Sequence, residues 1–424
     1  MIQVSFHGAM AHVGNSAVLV DTGIEKILLD YGTKVQEIPP KFPIPIQGKV
    51  DAIMLSHSHL DHSGAIPIFH ANGDNVPIYS IEVAKKLSQL LWLDSIKISR
   101  EEGVELPFAK RDVKKTINNF VHVKYTVPIK LRKTKATFFD AGHIPGSAMP
   151  HLKFDDGKSL LYTGDYNTRD TRLLEAADVK DLPEVNYLVT ESTYSDRDHT
   201  DRKLSEQQLI KTIRETLSND GITLIAGFAV GRIDEVLLAL DSFGIDYPLY
   251  IDGMAKKAIT IINQHKNLLR KPNSLDKALQ KVEYVYGDQM RKRIIKKPGV
   301  ILTTSGMLAG GAIIPYLKNL YNRQDCSLIL TSFQAEGTPG KTLLETGRFI
   351  YPKENIDVDV KMFVKRLDFS SHLGRKELFE FIKHVNPEKT FCIHGDHTEE
   401  FASELHEEGF DAVAPVANNR IFNL

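Results

Sequence analysis

Six residues constrain this chain more than any other stretch. His57-Ser58-His59-Leu60-Asp61-His62 sets three imidazoles and a carboxylate directly after the apolar run Ala52-Ile53-Met54-Leu55 and Ser56. A short apolar run bounded by polar residues reads as a buried strand, so the histidines begin where the strand ends and the backbone can fan them around an ion. His57 and His59, two residues apart, point the same way while the chain is still extended. Asp61 and His62 follow the turn, just before Ser63-Gly64-Ala65-Ile66-Pro67, and can face a second ion instead of sharing the first. Imidazole with carboxylate suits zinc, or manganese and iron where oxygen ligands dominate. Cys326 and Cys392 stand far apart, which leaves no disulfide framework and no cysteine zinc site. The metal chemistry therefore falls to His, Asp and Glu.

The same arrangement recurs along the chain. Phe138-Phe139 runs into Asp140-Ala141-Gly142-His143, Leu160-Leu161-Tyr162 into Thr163-Gly164-Asp165, Leu188-Val189-Thr190 into Glu191, and Phe391-Cys392-Ile393 into His394. Each alone is an ordinary turn. Together they place a ligand-type residue at the exit of strand after strand, which is how a metal site is built on one edge of a sheet. Asp30, after Ile27-Leu28-Leu29, reads equally as a turn aspartate or as a carboxylate that orients a ligand histidine. Up to residue 60, short apolar runs separated by glycine turns predict a β-meander.

A second unit opens near residue 196. Ser205 followed by Glu206-Gln207-Gln208 predicts a helix start. From there strands at 222–226, 300–304 and 328–331 alternate with helices at 204–217, 233–242 and 255–265. That rhythm predicts a parallel, doubly wound sheet. Its strands exit into Gly227 to Arg232, Thr303 to Met307 and Ser332 to Gly337, and ligands of open α/β sheets bind beyond such exits. Gly340-Lys341-Thr342 is not a nucleotide loop, because the first glycine of that motif would fall at Ala335. Lys110, Arg111, Lys114 and Lys115 make one basic face of a helix at 108–120, read as a solvated face.

With 424 residues, 42% hydrophobic and 25% charged, the composition is that of a globular chain of two or three units. The net charge of −1 supplies no global attraction for a polyanion, so any such site is local. No apolar stretch approaches the ~20 residues of a membrane span, and a cytoplasmic protein is expected.

In this order, the 57–62 motif, His143, Asp165 and His394 resemble the ligand set of the metallo-β-lactamase fold. Glu191 in Glu-Ser-Thr-Tyr, His372 in Asp-Phe-Ser-Ser-His and the α/β segment between them resemble the β-CASP nucleases. That group includes the cleavage and polyadenylation specificity factor endonuclease, its archaeal and bacterial homologues, and RNase J. Gly142 to Met149, Gly231-Arg232 and Gln334 to Thr338 are closer to the polyadenylation-factor branch, in the type without an N-terminal KH pair.

The resemblance implies an α/β chain: a metallo-β-lactamase αββα sandwich from 1–195 and 361–424, with an inserted doubly wound parallel-sheet β-CASP domain at 196–360. It implies two Zn2+ ions, or Mn2+ in their place. His57, His59 and His143 would hold one, Asp61, His62 and His394 the other, with Asp165 bridging and a shared hydroxide as nucleophile. Asp61, His372 and Glu191 are its catalytic residues, His372 being a general acid oriented by Glu191. The implied activity is hydrolysis of single-stranded RNA to 3′-hydroxyl and 5′-phosphate ends by internal cutting. The alternative is 5′–3′ exonuclease action. Arg232, Ser305, Gly306 and Lys341 would hold RNA phosphates, and Lys256, Lys257, Lys266, Arg291, Lys292 and Arg293 an outer basic rim. A homodimer is compatible with the family. A small-ester or thioester hydrolase on the same fold would need neither the insertion nor His372 nor Glu191.

Overall fold

Strand Gln3–Phe6 pairs antiparallel with Ile421–Asn423 on one side and with Val18–Asp21 on the other, so the two ends of the chain meet in one sheet. The computed structural model describes residues 2–424 apart from 36, 38, 178 and 419. The chain divides into a first unit, Met1–Asp170 with Glu175–Asp198 and Ser371–Leu424, and a second, Thr171–Leu174 with His199–Ser370.

The first unit is a sandwich of two seven-stranded sheets. In the first sheet the meander continues from Val18–Asp21 into Lys26–Leu29, then turns parallel through Ala52–Met54, Ile78–Ile81 and Phe120–Val123. In the second, Ala412–Val413, Lys389–Ile393, Tyr187–Glu191 and Ser159–Tyr162 run parallel, and Ala148–Lys153, Lys135–Asp140 and Ile129–Lys130 complete it antiparallel. The inner faces meet where Phe6 packs on Phe391, ring centroids 5.2 Å apart. On the outer side of the first sheet, helix Glu82–Glu101 packs through Ala84, Trp92 and Ile96, spaced eight and four residues apart on one helical face, against Ile53, Ile78 and Phe120. Helices Arg375–Val385 and Thr398–Glu407 cover the second sheet through Leu378, Phe381, Phe401 and Leu405. Lys110, Arg111, Lys114 and Lys115 lie on the exposed side of helix Lys110–Asn118.

The second unit is a six-stranded parallel sheet in the order Val282–Tyr284, Leu249–Ile251, Gly299–Thr303, Ile222–Ala226, Ser327–Leu330, Phe363–Arg366. Its central strands are buried along their length because helices pack on a parallel sheet. Two details differ from the sequence reading. The first helix starts at Arg202 and not at Ser205, because the Asp201 carboxylate accepts from Lys203 N at 2.9 Å and Leu204 N at 3.1 Å, while Ser205 is buried within the first turn. Strand Phe363–Arg366, beyond residue 360, pairs with Ser327–Leu330 and so belongs to this sheet.

Candidate metal centre

Parallel pairing brings strand exits together. Leu29 sits opposite Met54 in the first sheet, so Asp30 and the residues after Leu55 leave side by side. In the second sheet Glu191 sits opposite Ile393, so Glu191 and His394 leave side by side, next to the Ser159–Tyr162 strand that runs into Asp165. Tight backbone makes these exits. Gly164 has φ +52, and a Cβ there would lie 2.6 Å from that of Ser56. Ala148 N donates to Ser56 O at 2.8 Å, joining the two sheets at the site.

Helix Leu60–Ser63 then turns Asp61 and His62 back towards the strand exits, with Ser16 N donating to Asp61 O and Tyr31 N to His62 O. Two groups of donor atoms result. His57, His59, His143 and Asp165 form one, and Asp61, His62, Asp165 and His394 the other. Asp165 also joins Glu191 and His372 in a third.

The separations suit an ion. Ligand atoms about 2.0–2.1 Å from a tetrahedral zinc stand roughly 3.3 Å apart. In the first group His57 Nε2 is 3.2 Å from His59 Nδ1, which is 3.3 Å from His143 Nε2, and Asp165 Oδ2 lies 3.5 Å from His57 Nε2 and 3.7 Å from His143 Nε2. In the second, His62 Nε2 is 3.1 Å from Asp165 Oδ1 and His394 Nε2 is 3.6 Å from Asp61 Oδ2, while the other ring nitrogen of His394, Nδ1, is 3.6 Å from Asp165 Oδ1. His62 Nε2, Asp165 Oδ1 and His394 Nε2 are buried atoms that make no hydrogen bond among the described residues. Buried polar atoms left in this way are costly, and a cation would satisfy all three.

The far sides of the rings are held. Asp30, fully buried, accepts from His62 Nδ1 at 2.7 Å, Ser56 N at 2.7 Å and Tyr162 Oη at 2.8 Å. Between its two sequence readings, the structure gives Asp30 the orienting one. His143 Nδ1 donates to Ser371 O at 2.8 Å, and Thr193 Oγ1 lies 3.2 Å from His394 Nδ1. Such partners fix which nitrogen is offered to a metal. Tyr162 and Thr193 were not singled out in the sequence, where a strand tyrosine and a turn threonine carry no chemical signal.

Electrostatics support the ligand form for His57, His59, His143, Asp61 and Asp165. Burial, with the neighbouring imidazoles, pushes His57 and His143 well below the ordinary histidine range, and burial lowers His59 as well, so these rings are neutral. Burial opposes the charge of Asp61 and Asp165, yet the adjacent imidazoles, His394 and His62 foremost, hold both carboxyls below their usual range. For His62 burial is outweighed by the carboxylates of Asp165 and Asp30, which hold it well above its ordinary value.

His372 stands beside this centre. Its Nδ1 is 2.9 Å from both carboxylate oxygens of Glu191, and its Nε2 is 3.9 Å from Asp165 Oδ2. All nine of these residues, from His57 to His394, lie in the first unit.

Arg232, Ser305, Gly306 and Lys341 lie in the second unit, each with an occupation inside it. Arg232 is buried and donates to Phe369 O. Gly306 is buried against Ser332 and Gly227, where a Cβ would fall 2.5 Å from Ser332 Oγ. Ser305 Oγ donates to Gly310 O at 3.2 Å, and Lys341 Nζ meets Glu336 at 2.9 Å and Glu345 at 3.0 Å. Of the rim residues, Arg291 is bound to Asp252, Lys266 to Asp276 and Arg293 to Glu283.

Comparison with known proteins adds three matched segments. Residues 10–193 match the metallo-beta-lactamase superfamily domain, 234–343 the Beta-Casp domain, and 357–415 the Zn-dependent metallo-hydrolase RNA specificity domain. The chain is 37% identical to a probable RNase MJ4 of Methanocaldococcus jannaschii, covering 99% of this chain and 100% of that protein. It is 34% identical to RNase aCSPSF2 of Saccharolobus solfataricus, over 96% of this chain and 82% of that one. It is also 34% identical to the transcription termination factor FttA of Methanothermobacter thermautotrophicus, over 94% of this chain and 68% of that one. A crystal structure of a protein of unknown function from Enterococcus faecalis V583 shares the fold, with a TM-score of 0.64 at 14% identity over all of both chains.

Proposed function

We propose, from the premise that this chain belongs to the β-CASP family of metallo-β-lactamase-fold ribonucleases, that it hydrolyses single-stranded RNA at the centre around Asp165, cutting internally and leaving 3′-hydroxyl and 5′-phosphate ends. The observation that carries this reading is the position of Asp165, one carboxylate common to both donor groups and 3.9 Å from the ring of His372. Relatives named as RNases support RNA as the substrate. The same reading places the protein in the cytoplasm. No helix among the described residues is long and apolar enough to cross a membrane.

His57, His59, His143 and Asp165 would hold one ion, and Asp61, His62, His394 and Asp165 the other, zinc by the preference of imidazole and carboxylate donors, with manganese as the alternative. Two such ions supply Lewis acidity to the phosphoryl oxygens and lower the pKa of water. In the hydrolysis a bond forms from the oxygen of water to phosphorus, and the bond from phosphorus to the 3′ oxygen breaks. The departing 3′ oxygen needs a proton. His372 delivers it from Nε2, while Glu191 holds Nδ1 and stabilises the imidazolium until transfer.

The test uses purified protein loaded with zinc and single-stranded RNA labelled at its 5′ end, with a chelated control and metal content measured by mass spectrometry. Two ions per chain and labelled fragments of intermediate length are expected. Immediate release of labelled mononucleotide would replace internal cutting by 5′–3′ exonuclease action. Cleavage unaffected by the chelator would refute the metal assignment.

A further inference from the structure

Strands Gln3–Phe6 and Val18–Asp21 are antiparallel neighbours with Phe6 opposite Val18, yet the chain uses residues 7–17 to pass between them. Hairpin loops usually need only about two to five residues. The extra length is tightly folded. His7 N closes the base of the loop on Ala17 O at 2.8 Å, and a Cβ at Gly8 would lie 1.8 Å from Asn15 O. Ala9, Ala11 and Asn15 adopt left-handed backbone, at φ +56, +54 and +43. Alanine keeps that conformation only where its surroundings hold it, whereas asparagine tolerates it.

Asn15 supplies the hold on Ala9. Its buried side chain accepts from Ala9 N at Oδ1, 3.2 Å away and 2.7 Å from His12 Nε2, and Nδ2 donates to Phe42 O at 3.5 Å. On its other side, Ala9 O accepts from His394 N at 2.8 Å. His394 is left-handed as well, at φ +53, and that turn brings its Nε2 to 3.6 Å from Asp61 Oδ2. A histidine in this conformation persists only where neighbours over-determine it. Here they are Ala9 O and Thr193 Oγ1, which donates to His394 O at 3.0 Å. The residue after Asn15 makes a second connection, since Ser16 N donates to Asp61 O at 2.8 Å.

One side chain thus stands between two ligands of one donor group, Asp61 and His394. The other group is braced from elsewhere, with His57 Nδ1 3.0 Å from Ser56 Oγ and His143 Nδ1 donating to Ser371 O. All of these residues belong to the first unit. We infer that Asn15 is a positioning residue for the ion of Asp61, His62 and His394, acting through the backbone of Ala9 and Ser16. This assignment rests on the reading of the centre as a two-ion site.

The experiment uses single-ion backgrounds to tell the two sites apart. Asp61→Ala removes a ligand of the second group alone and His59→Ala one of the first alone. Each protein is titrated with zinc against a chelator of known affinity, and ions per chain are counted by mass spectrometry. Asn15→Gly keeps the left-handed backbone and removes the acceptor. It should weaken the remaining ion of the His59→Ala protein roughly 10–100-fold and that of the Asp61→Ala protein by less than about twofold. Asn15→Asp, which keeps Oδ1, should recover part of the loss. Metal-free Asn15→Gly should melt within about 5 °C of the metal-free native protein. Equal weakening in both backgrounds, weakening in neither, or no recovery by Asn15→Asp overturns the assignment. A larger drop in melting temperature overturns it too, by making Asn15 a residue of the fold. A native protein that binds one ion, or an Asp61→Ala protein that still binds two, shows instead that the two-ion reading has failed, and the proposal falls with it.

Discussion

Both carboxylate oxygens of Glu191 lie 2.9 Å from Nδ1 of His372. Glu191 is 2% exposed and also accepts from Tyr166 N at 3.2 Å, so the loop after the neighbouring strand Ser159–Tyr162 holds the carboxylate that meets the ring. Glu191→Gln keeps the shape and removes the charge that favours an imidazolium. Turnover on RNA should fall by roughly 10–10²-fold with the metal content unchanged. Steady-state kinetics alongside metal analysis decide it. Full activity would remove Glu191 from the mechanism.

Asp30 touches no substrate in this reading, yet its carboxylate gathers His62, Ser56 and Tyr162. Asp30→Asn weakens the hold on His62 and should reduce metal affinity about 10–100-fold. Competition against a chelator of known affinity measures this directly. Unchanged affinity would make Asp30 a packing residue only.

Gly32 lies against the loop that carries Asp61 and His62. A Cβ at this position would fall 1.7 Å from Asp61 O and 2.7 Å from His62 N, both backbone atoms that cannot swing aside. Gly32→Ala should therefore cost roughly 1–3 kcal/mol or more, and displace both ligands. A lowered melting temperature together with loss of bound metal is expected. A stable, fully metallated variant would show that the loop can yield.

Asp234 sets a pH dependence of its own within the second unit. Its carboxyl is fully buried in the second unit and is pushed up to about 7 by that burial, against the pull of the Gly231 N–H. The folded carboxyl thus holds its proton above the ordinary value of 3.8, so the folded state binds the extra proton between about 4 and 7. This group's contribution to stability falls as pH rises through that window, by up to about 4 kcal/mol, and stays lost above it. Asp234→Asn should remove that slope. Urea unfolding at pH 5 and pH 8 checks it: the variant should gain on the native protein at pH 8, and an identical slope in both would refute the assignment.

The sequence by itself determined which residues stand at strand exits. His57, His59, His143, Asp165, Glu191 and His394 were legible because each stands just past a short apolar run, and Asp61 and His62 because they close the motif that the first run opens, since apolar periodicity reports on a residue's own strand. The βα rhythm of the second unit was legible for the same reason, as were most of its helices, although the Asp201 cap moved one start by a turn. The tertiary structure alone decided who meets whom. Tyr162 reaches Asp30 across 132 residues of sequence and Arg202 reaches Ser370 across 168, and no local pattern encodes either meeting. The packing of neighbouring exits likewise sets Gly306 close against Ser332 and Gly227 and turns Arg232 onto the Phe369 carbonyl. Periodicity fixes the face and the exit of each strand. Only the packing of whole sheets sets the distances between exits, and metal binding and proton transfer depend on those distances.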